Sequence, residues 1–408
     1  MASQRSVFLT ALASLLVFVL AACNSNPGDP KEGITLSKVA GDKVTAAVGT
    51  GTVLTVRVER DGAPEAAVPV LFEAVSGGGK VSHEEVRTDE NGVASTLWLL
   101  GTETGEQVAR ATVAGVTVDF TAQATALQVG STYFGRNDYV EFIPGELPVI
   151  LSSPHDGPLT PSEIPDRTWG TVARDLNTMD LTRRISNALH TLTGKRPSVA
   201  IMHLRRTKID PNRDIVEAAQ GNVYSEWAWH QYHTWIDIAR ESIVQEYGTG
   251  ILFDIHGQGH EIKRIELGYQ LNASDLNRTD AQLDGANYIN KSSIRHIGAN
   301  SKLSFSQVIR GDDSLGEIMA RNGIRAIPSK SEPMPLGDPF LCCGYTLVRH
   351  GSRDGGTFNA IMLEHDTETR SNGNTRAVYA NALAKTIVEY VAKHLGIEMA
   401  ELQAAQVP

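Results

Sequence analysis

The segment Gly250-Ile-Leu-Phe-Asp-Ile-His-Gly257 decides the fold class, because a short apolar run leads into a side chain that can bind metal. Such unbroken runs are typical of strands buried on both faces of a parallel sheet. The run Leu147–Ser153 similarly precedes His155, and Phe358–Leu363 precedes Glu364. Ligands of open α/β sheets bind beyond the carboxyl ends of the strands. We therefore expect both histidines and the glutamate to meet at one edge of a sheet.

His155 and His256 are the candidate metal ligands, and each has a glycine shortly after it where the backbone can turn. Catalytic zinc commonly takes two histidines and a carboxylate and keeps one position open for water. The alternative is that each is a hydrogen-bonded loop histidine. The pattern favours a metal-assisted hydrolase.

The chain of 408 residues predicts two domains. Its composition, 41% hydrophobic and 21% charged, is that of a globular protein. A net charge of −10 without a large basic cluster argues against a nucleic-acid partner.

Residues 1–22 form a basic start and an apolar stretch typical of a secretory signal. The stretch closes on Leu20-Ala-Ala-Cys23, which resembles the lipobox of bacterial lipoproteins. That resemblance implies cleavage before Cys23, lipidation of Cys23 and a membrane anchor, with a preference for the outer membrane or cell surface. An ordinary signal with a chance cysteine is the alternative. Residues 23–33, polar and rich in Pro and Gly, are expected to be a tether.

Residues 34–127 have an all-β pattern, with alternating runs such as 53–58 and 116–121 separated by turn signals such as Asp61-Gly62. About seven short strands of this kind suggest an Ig-like sandwich. The motifs Thr88–Trp98 and Ala109–Gly115 resemble the bacterial Ig-like domains of intimin and invasin. That resemblance implies a spacer, or an adhesion module, without chemistry of its own.

Residues 131–400 alternate strands with amphipathic segments, which predicts a mostly parallel mixed sheet with helices on both faces. Helices are expected over 181–192, 224–247 and 381–395. His230 and His233 lie one turn apart among tryptophans, so we expect them to pack on a helix face rather than bind metal. Cys342 and Cys343 are expected to be structural thiols, because adjacent cysteines rarely bridge each other.

Four motifs together resemble the N-formylglutamate amidohydrolase family of the zinc carboxypeptidase clan, over about residues 136–395. They are Ser153–Gly157, Thr207–Arg213, Phe253–His260 and Gly344–Gly351. The resemblance implies a phosphorylase/hydrolase-like α/β domain, one zinc ion and hydrolysis of an amide next to a carboxylate.

By the same resemblance, His155 and His256 are metal ligands and Glu364 is the general base. Asn212 and Arg213 match the pair that grips a substrate carboxylate or polarises the scissile carbonyl, with Arg213 also in a catalytic role. A two-pronged guanidinium suits that task. The alternatives are a surface salt bridge for Arg213 and a structural ion pair for Glu364.

One departure from the clan concerns the third ligand, because Pro158 stands where the carboxypeptidases have a glutamate. Asp175 matches a family aspartate before the first long helix, and Glu163 is the reserve candidate. Tyr345 and Arg349 are expected either at the cleft rim, contacting substrate, or in simple packing.

These observations favour a zinc-dependent hydrolase anchored at the cell envelope. Its family resemblance points to N-formylglutamate, whereas an envelope location favours another N-acyl amino acid, a peptide or a cell-wall fragment ending in a carboxylate. The alternative is a non-catalytic surface binding or adhesion lipoprotein with a degenerate hydrolase domain.

Overall fold

A computed structural model describes residues 32–399 of the chain. The signal stretch, Cys23 and most of the tether lie outside the described residues. Within residues 32–399, no helix has both the length and the apolarity needed to cross a membrane.

The first part of the described chain is a β-sandwich of two sheets. Its strands are β1 Ile34–Ala40, β2 Val44–Ala47, β3 Gly51–Arg60, β4 Ala63–Pro64, β5 Pro69–Ala74, β6 Lys80–Val81, β7 Glu85–Arg87, β8 Val93–Leu99, β9 Gly105–Val113 and β10 Val116–Thr125. One sheet has the order β1-β3-β8-β6, with β4 beside β3, and the other has the order β2-β10-β9-β5-β7. The alternating burial along β3, β5 and β10 confirms the period-two pattern seen in the sequence.

Asp61 and Gly62 form the turn between β3 and β4, with φ of 51° and 83°. Two consecutive left-handed residues are what a tight hairpin turn requires, and Asp-Gly is a favoured pair for it. Strands β3 and β4 accordingly pair antiparallel directly across this turn.

The second part is a mixed sheet of eight strands with helices on both faces. Its strands are β11 Tyr133–Phe134, β12 Val140–Ile143, β13 Val149–Ser153, β14 Ser198–Met202, β15 Gly250–Gly257, β16 Ile265–Gly268, β17 Ala326–Ile327 and β18 Phe358–His365. Its helices are α1 Thr178–Thr193, α2 Ile215–Ala219, α3 Val223–Tyr247, α4 Ala273–Leu276, α5 Asp280–Leu283, α6 Ala286–Lys291, α7 Arg295–Asn300, α8 Phe305–Arg310, α9 Leu315–Arg321, α10 Tyr345–His350, α11 Thr367–Ser371 and α12 Gly373–Leu395, besides a 3-10 turn at Arg136–Asp138.

The strand order is β11-β12-β14-β13-β15-β18-β16-β17. The four central strands, from β14 to β18, run parallel, and β12 and β16 flank them antiparallel. Val149 and Leu151 face the core under α1 and α12, whereas Ile150 faces the core under α3. Burial on both faces explains why the central strands are apolar throughout.

The three helices expected from periodicity are present as parts of α1, α3 and α12. The strands are longer than expected, because β15 and β18 stay paired in register through Gly257 and His365. His256 and Glu364 are consequently the second-last residues of β15 and β18, whereas His155 follows the end of β13.

The sandwich contacts the second part of the chain through α3. Trp235 donates from Nε1 to the carbonyl of Val48 at 3.4 Å, and Gln231 donates from Nε2 to the carbonyl of Gly49 at 3.1 Å. Gly51 packs against the ring of Trp227, where an added Cβ would come within 2.4 Å of Cζ2. The sandwich is therefore docked on α3 by buried hydrogen bonds, in addition to its covalent connection to the second part of the chain.

Candidate metal centre

His155, Asp175 and His256 converge at the carboxyl edge of the central strands. Each offers a ligand atom, and the three atoms all lie within 4.8 Å of one another. The ring centroids of the two histidines are 4.7 Å apart. All three side chains are buried, with exposed fractions of 1%, 6% and 2%. The structure thus brings together the two histidines and the carboxylate that the sequence suggested as ligands.

One oxygen of Asp175 faces both imidazoles. Its Oδ2 lies 3.1 Å from Nδ1 of His155 and 3.3 Å from Nδ1 of His256. The backbone N–H of Gly257 donates to the same oxygen at 3.1 Å. These contacts place Asp175, which lies just before α1, over the end of β15.

The opposite nitrogen of each imidazole contacts a second carboxylate. Nε2 of His155 lies 2.7 Å from Asp210, and Nε2 of His256 lies 2.8 Å from Asp254. A metal-binding histidine usually donates its other ring N–H to such a carboxylate, which fixes the tautomer and the ring orientation. Both histidines therefore present Nδ1 to the same point.

Asp210 and Asp254 were not selected as functional residues from the sequence. Asp254 precedes His256 by two residues on one strand, so both side chains lie on the same face of the sheet. That spacing could have identified it. Asp210 lies within the Thr207–Arg213 motif, but only the tertiary fold shows that it meets His155.

Neighbouring charges shift the pKa values of Asp175 and His256. Burial alone would raise the pKa of Asp175, but the charges of His155 and His256 and their hydrogen bonds outweigh it and hold that pKa well below its usual range. Burial likewise opposes protonation of His256, but the carboxylates of Asp254 and Asp175 raise its pKa well above the ordinary value. Positive charge is thus strongly favoured between these carboxylates, which is the electrostatic requirement for a cation site.

Glu364 lies beside this cluster, as the register partner of His256 on the neighbouring strand. It is 7% exposed, and its Oε2 is buried without a hydrogen-bond partner among the described residues. Burial raises the pKa of Glu364 to about 7, with further raising by Asp175 and Glu266, while His256 opposes the shift. Within residues 32–399, the Oε2 of Glu364 has no ion-pair partner that would support the structural ion pair left open as an alternative.

Asn212 borders the cluster from the loop before α2. Its Nδ2 is 3.4 Å from Nε2 of His256, and its Oδ1 accepts from the N–H of Thr346 at 3.0 Å. Gly344 packs so closely against this amide that an added Cβ would lie 2.3 Å from Oδ1. Asn212 therefore connects the candidate site to the start of α10.

Arg213 pairs with Glu217 at 3.3 Å, and its side chain is one third exposed, at 33%. Its charge also contributes to the depressed pKa of Asp210, where burial opposes the shift and His155 is the main lowering influence. Arg213 thus forms the salt bridge left open as an alternative, and it also lies near Asp210 of the site. A substrate role for Arg213 stays a prediction.

Tyr345 and Arg349 pack on α3 through Trp229, the Tyr345 ring at 5.5 Å and the guanidinium of Arg349 also at 5.5 Å. Arg349 additionally forms an ion pair with Asp237 at 2.7 Å. These contacts fit the packing alternative, and substrate contact by either residue stays a prediction.

The reserve ligand Glu163 is not at the cluster. Its carboxylate accepts from the hydroxyl of Tyr139 and lies 3.7 Å from Arg136. The loop after β13 directs Glu163 towards these partners, whereas Asp175 at the end of the same loop returns to the sheet.

The expectation of two free thiols is wrong, because Cys342 and Cys343 are joined in a disulfide. The pair lies between Leu341, whose N–H donates to Glu266, and Gly344, whose carbonyl accepts from Gln270. The expectation from the sequence rested only on the rarity of disulfides between adjacent cysteines. It could not show the local backbone arrangement of this pair.

His233 is buried on α3, as expected for a packed helix face. Its Nδ1 is 2.8 Å from Nε2 of His350, and its Nε2 contacts the carbonyl of Pro211 at 3.0 Å. Within residues 32–399, the metal-binding geometry is found only at His155, Asp175 and His256.

No protein-family model matches the chain, and no curated protein matches it. Among solved structures, 23 chains match. The D00-D0 domain of intimin is 23% identical, with a TM-score of 0.20, over 25% of this chain and 52% of that one. The D0-D1 domain of intimin is 20% identical, with a TM-score of 0.20, over 29% and 56% of the two chains.

Invasin, described as a bacterial integrin-binding protein, is 21% identical, with a TM-score of 0.20, over 29% of this chain and 22% of that one. This chain thus spans little more than half the length of the intimin fragments and less of invasin. These neighbours are of the intimin and invasin type that the sequence motifs resemble, while the amidohydrolase resemblance stays a prediction. The chain is similar to these domains over 25% to 29% of its length, and that likeness says nothing about its activity.

Proposed function

We propose that this protein is a zinc-dependent hydrolase that cleaves an amide bond next to a carboxylate. The observation that carries the proposal is the convergence of His155, Asp175 and His256, beside Glu364, whose Oε2 has no hydrogen-bond partner within residues 32–399. Two imidazoles and one carboxylate are a common donor set of catalytic zinc. A neighbouring carboxylate with a pKa near neutrality is what a general base needs.

The carboxylates that contact the two ligand histidines also fit a zinc site. Asp210 and Asp254 hold the remaining nitrogens of both ligand histidines. Zinc bound there would act as a Lewis acid that polarises a carbonyl and acidifies water.

The chain's own residues have separate tasks in this proposal. Glu364 accepts the proton of the attacking water through Oε2. Asn212 and Arg213 hold the carboxylate of the substrate, as the family resemblance implies, with Arg213 next to the buried Asp210. The depth of the cluster limits access of bulk water and strengthens these interactions.

The substrate we propose is an N-acyl amino acid, a peptide or a cell-wall fragment that ends in a carboxylate. The protein would act at the cell envelope, anchored through lipid on Cys23. The phosphorylase/hydrolase-like fold of the amidohydrolase family is part of the same proposal.

The test combines metal content with hydrolysis. Purified protein would be dialysed against zinc and its metal content measured by mass spectrometry, and N-formylglutamate, other N-acyl amino acids and short peptides would be screened for cleavage. We expect about one zinc ion per chain and metal-dependent cleavage, as in other sites with this donor set. His256→Ala should lose both, whereas Glu364→Gln should keep the metal and lose cleavage.

His83→Ala is the matched control, because His83 is an exposed histidine of the sandwich. A wild-type protein that retains no zinc would refute the proposal. Zinc retention without cleavage of any probe would instead favour the binding module that the sequence left as the alternative.

A further inference from the structure

His260 and Glu266 form a hydrogen-bonded pair, and Glu266 lies opposite Glu364 on the neighbouring strand. Nδ1 of His260 lies 2.7 Å from Oε1 of Glu266, whose side chain is 1% exposed, while that of His260 is 24% exposed. The second oxygen of Glu266 accepts from the N–H of Leu341 at 2.7 Å. Each oxygen of the buried carboxylate therefore has a hydrogen-bond partner, and one of these partners is a partly exposed imidazole.

The sheet register places this pair on the same face as the candidate centre. Glu364 is the partner of His256 on one side and of Glu266 on the other. Cross-strand partners project their side chains to the same face, and in an antiparallel pair such as Glu364 and Glu266 the Cβ atoms lie about 5 Å apart. His256, Glu364 and Glu266 thus form a row across three neighbouring strands, and His260 contacts that row through Glu266.

The loop that carries His260 is held at several points. The backbone N–H of His260 donates to Oε1 of Gln258 at 2.5 Å, and the carbonyl of His260 accepts from Lys263 at 2.8 Å. Gln258 in turn donates to the carbonyl of Arg264 at 3.0 Å. These contacts fix the backbone of His260, and the contact with Glu266 orients its ring.

The orientation leaves one nitrogen of His260 available. An ionised Glu266 can only accept, and in that state Nδ1 of His260 carries the hydrogen of this contact. In the part of the chain that the structure describes, Nε2 of His260 has no hydrogen-bond partner. This arrangement, a carboxylate behind an imidazole with its far nitrogen free, is how proteins prepare a histidine for proton transfer.

We propose that His260 is the proton donor to the leaving nitrogen and that Glu266 is its positioning residue, an inference that rests on the proposed function. Water adds its hydroxyl group to the scissile carbonyl carbon while Glu364 takes the remaining proton. His260 enters this step with a proton on each ring nitrogen. When the C–N bond breaks, its electron pair stays on nitrogen, which takes the proton from Nε2 of His260, and His260 keeps the hydrogen on Nδ1. The proton on Glu364 returns through solvent to His260, so one water is consumed and both residues are restored.

The role makes a prediction that simple packing does not. An amide nitrogen must be protonated before it leaves, whereas an ester oxygen depends much less on a proton donor. The experiment uses the N-acyl amino acid cleaved fastest in the screen and its matched ester, in which oxygen replaces the scissile nitrogen. The variants are His260→Gln and Glu266→Gln, with His83→Gln as control.

We expect His260→Gln to lower kcat for the amide by about 100-fold, as loss of a general acid does, and to leave zinc content unchanged. Cleavage of the ester should fall less than about tenfold on the same reasoning. Glu266→Gln should show the same preference for the ester in weaker form.

Equal losses for amide and ester, or no loss, would overturn the role of His260 while leaving the proposed hydrolase intact. If wild-type protein cleaves neither compound, the proposed function and this inference both fall. Folding of each variant is checked by its zinc content and by its thermal unfolding.

Discussion

Oδ2 of Asp254 lies 2.8 Å from Nε2 of His256, two residues further along the same buried strand. Strand geometry alone brings the two side chains to one face of the sheet. The contact leaves Nδ1 of His256 as the nitrogen that faces Asp175.

Removing the charge of Asp254 should weaken metal binding without removing a ligand. We expect Asp254→Asn to lower zinc affinity about 10- to 100-fold, as for other carboxylates behind ligand histidines. Competition with a chromophoric chelator measures the change. Asp237→Asn is the control, because Asp237 pairs with Arg349 away from the cluster, and equal losses in both variants would contradict the assignment.

Zinc should stabilise the folded protein through Asp175. A ligand at a hundredfold excess over its Kd adds about 2.7 kcal/mol to the free energy of unfolding, so thermal unfolding with and without zinc should differ clearly. Asp175→Asn should reduce that difference. Glu163→Gln should leave it unchanged, because Glu163 contacts Tyr139 instead; the reverse result would restore Glu163 as the ligand.

Acid should destabilise the fold through His233 and His350. Burial lowers the pKa of both imidazoles, and Arg349 opposes a charge on each, while Asp237 favours it. As pH falls below about 6.5, the unfolded chain takes up protons that the folded protein does not, so stability decreases.

Each such imidazole contributes at most about 1.4 kcal/mol per pH unit. Between pH 6.5 and 4.5, a range set by the ordinary histidine and carboxylate pKa values, His233→Gln should therefore flatten the decline measured by urea unfolding. His83→Gln, in the exposed sandwich position, should not. An unchanged slope in His233→Gln would show that this pair is not the source.

Contact between the sandwich and α3 should contribute to stability. Gly51→Ala places a Cβ against the ring of Trp227, and such overpacking costs about 1–3 kcal/mol. Chemical denaturation measures this loss. Gly373→Ala is the matched control, because the nearest atom there is 3.8 Å away, at the end of a flexible arginine; a neutral Gly51→Ala would mean that the two parts are not tightly docked.

Much of the fold follows from local patterns. The alternation along β3, β5 and β10, the apolar runs of β13, β15 and β18 and the helical periodicity in α1, α3 and α12 each reflect which face of an element is buried. Those patterns could not show the disulfide of Cys342 and Cys343 or the docking of the sandwich on Trp227 and Trp235.

Some residues of the candidate site likewise follow from local patterns, and others do not. His155, His256 and Glu364 could be selected because each stands near the carboxyl end of an apolar run, and parallel strands share that edge. Asp175 required a family resemblance, with Glu163 as the reserve candidate, and only the tertiary structure shows that the loop after β13 carries Glu163 elsewhere.

By itself, the order of residues determined that His155, His256 and Glu364 are candidates for one site, because periodicity and strand ends are local properties. Only the tertiary structure decided that Asp210 holds His155, that Glu266 holds His260 and that Arg349 pairs with Asp237. These contacts join separate elements, and their distances depend on strand order and register, which no local pattern encodes.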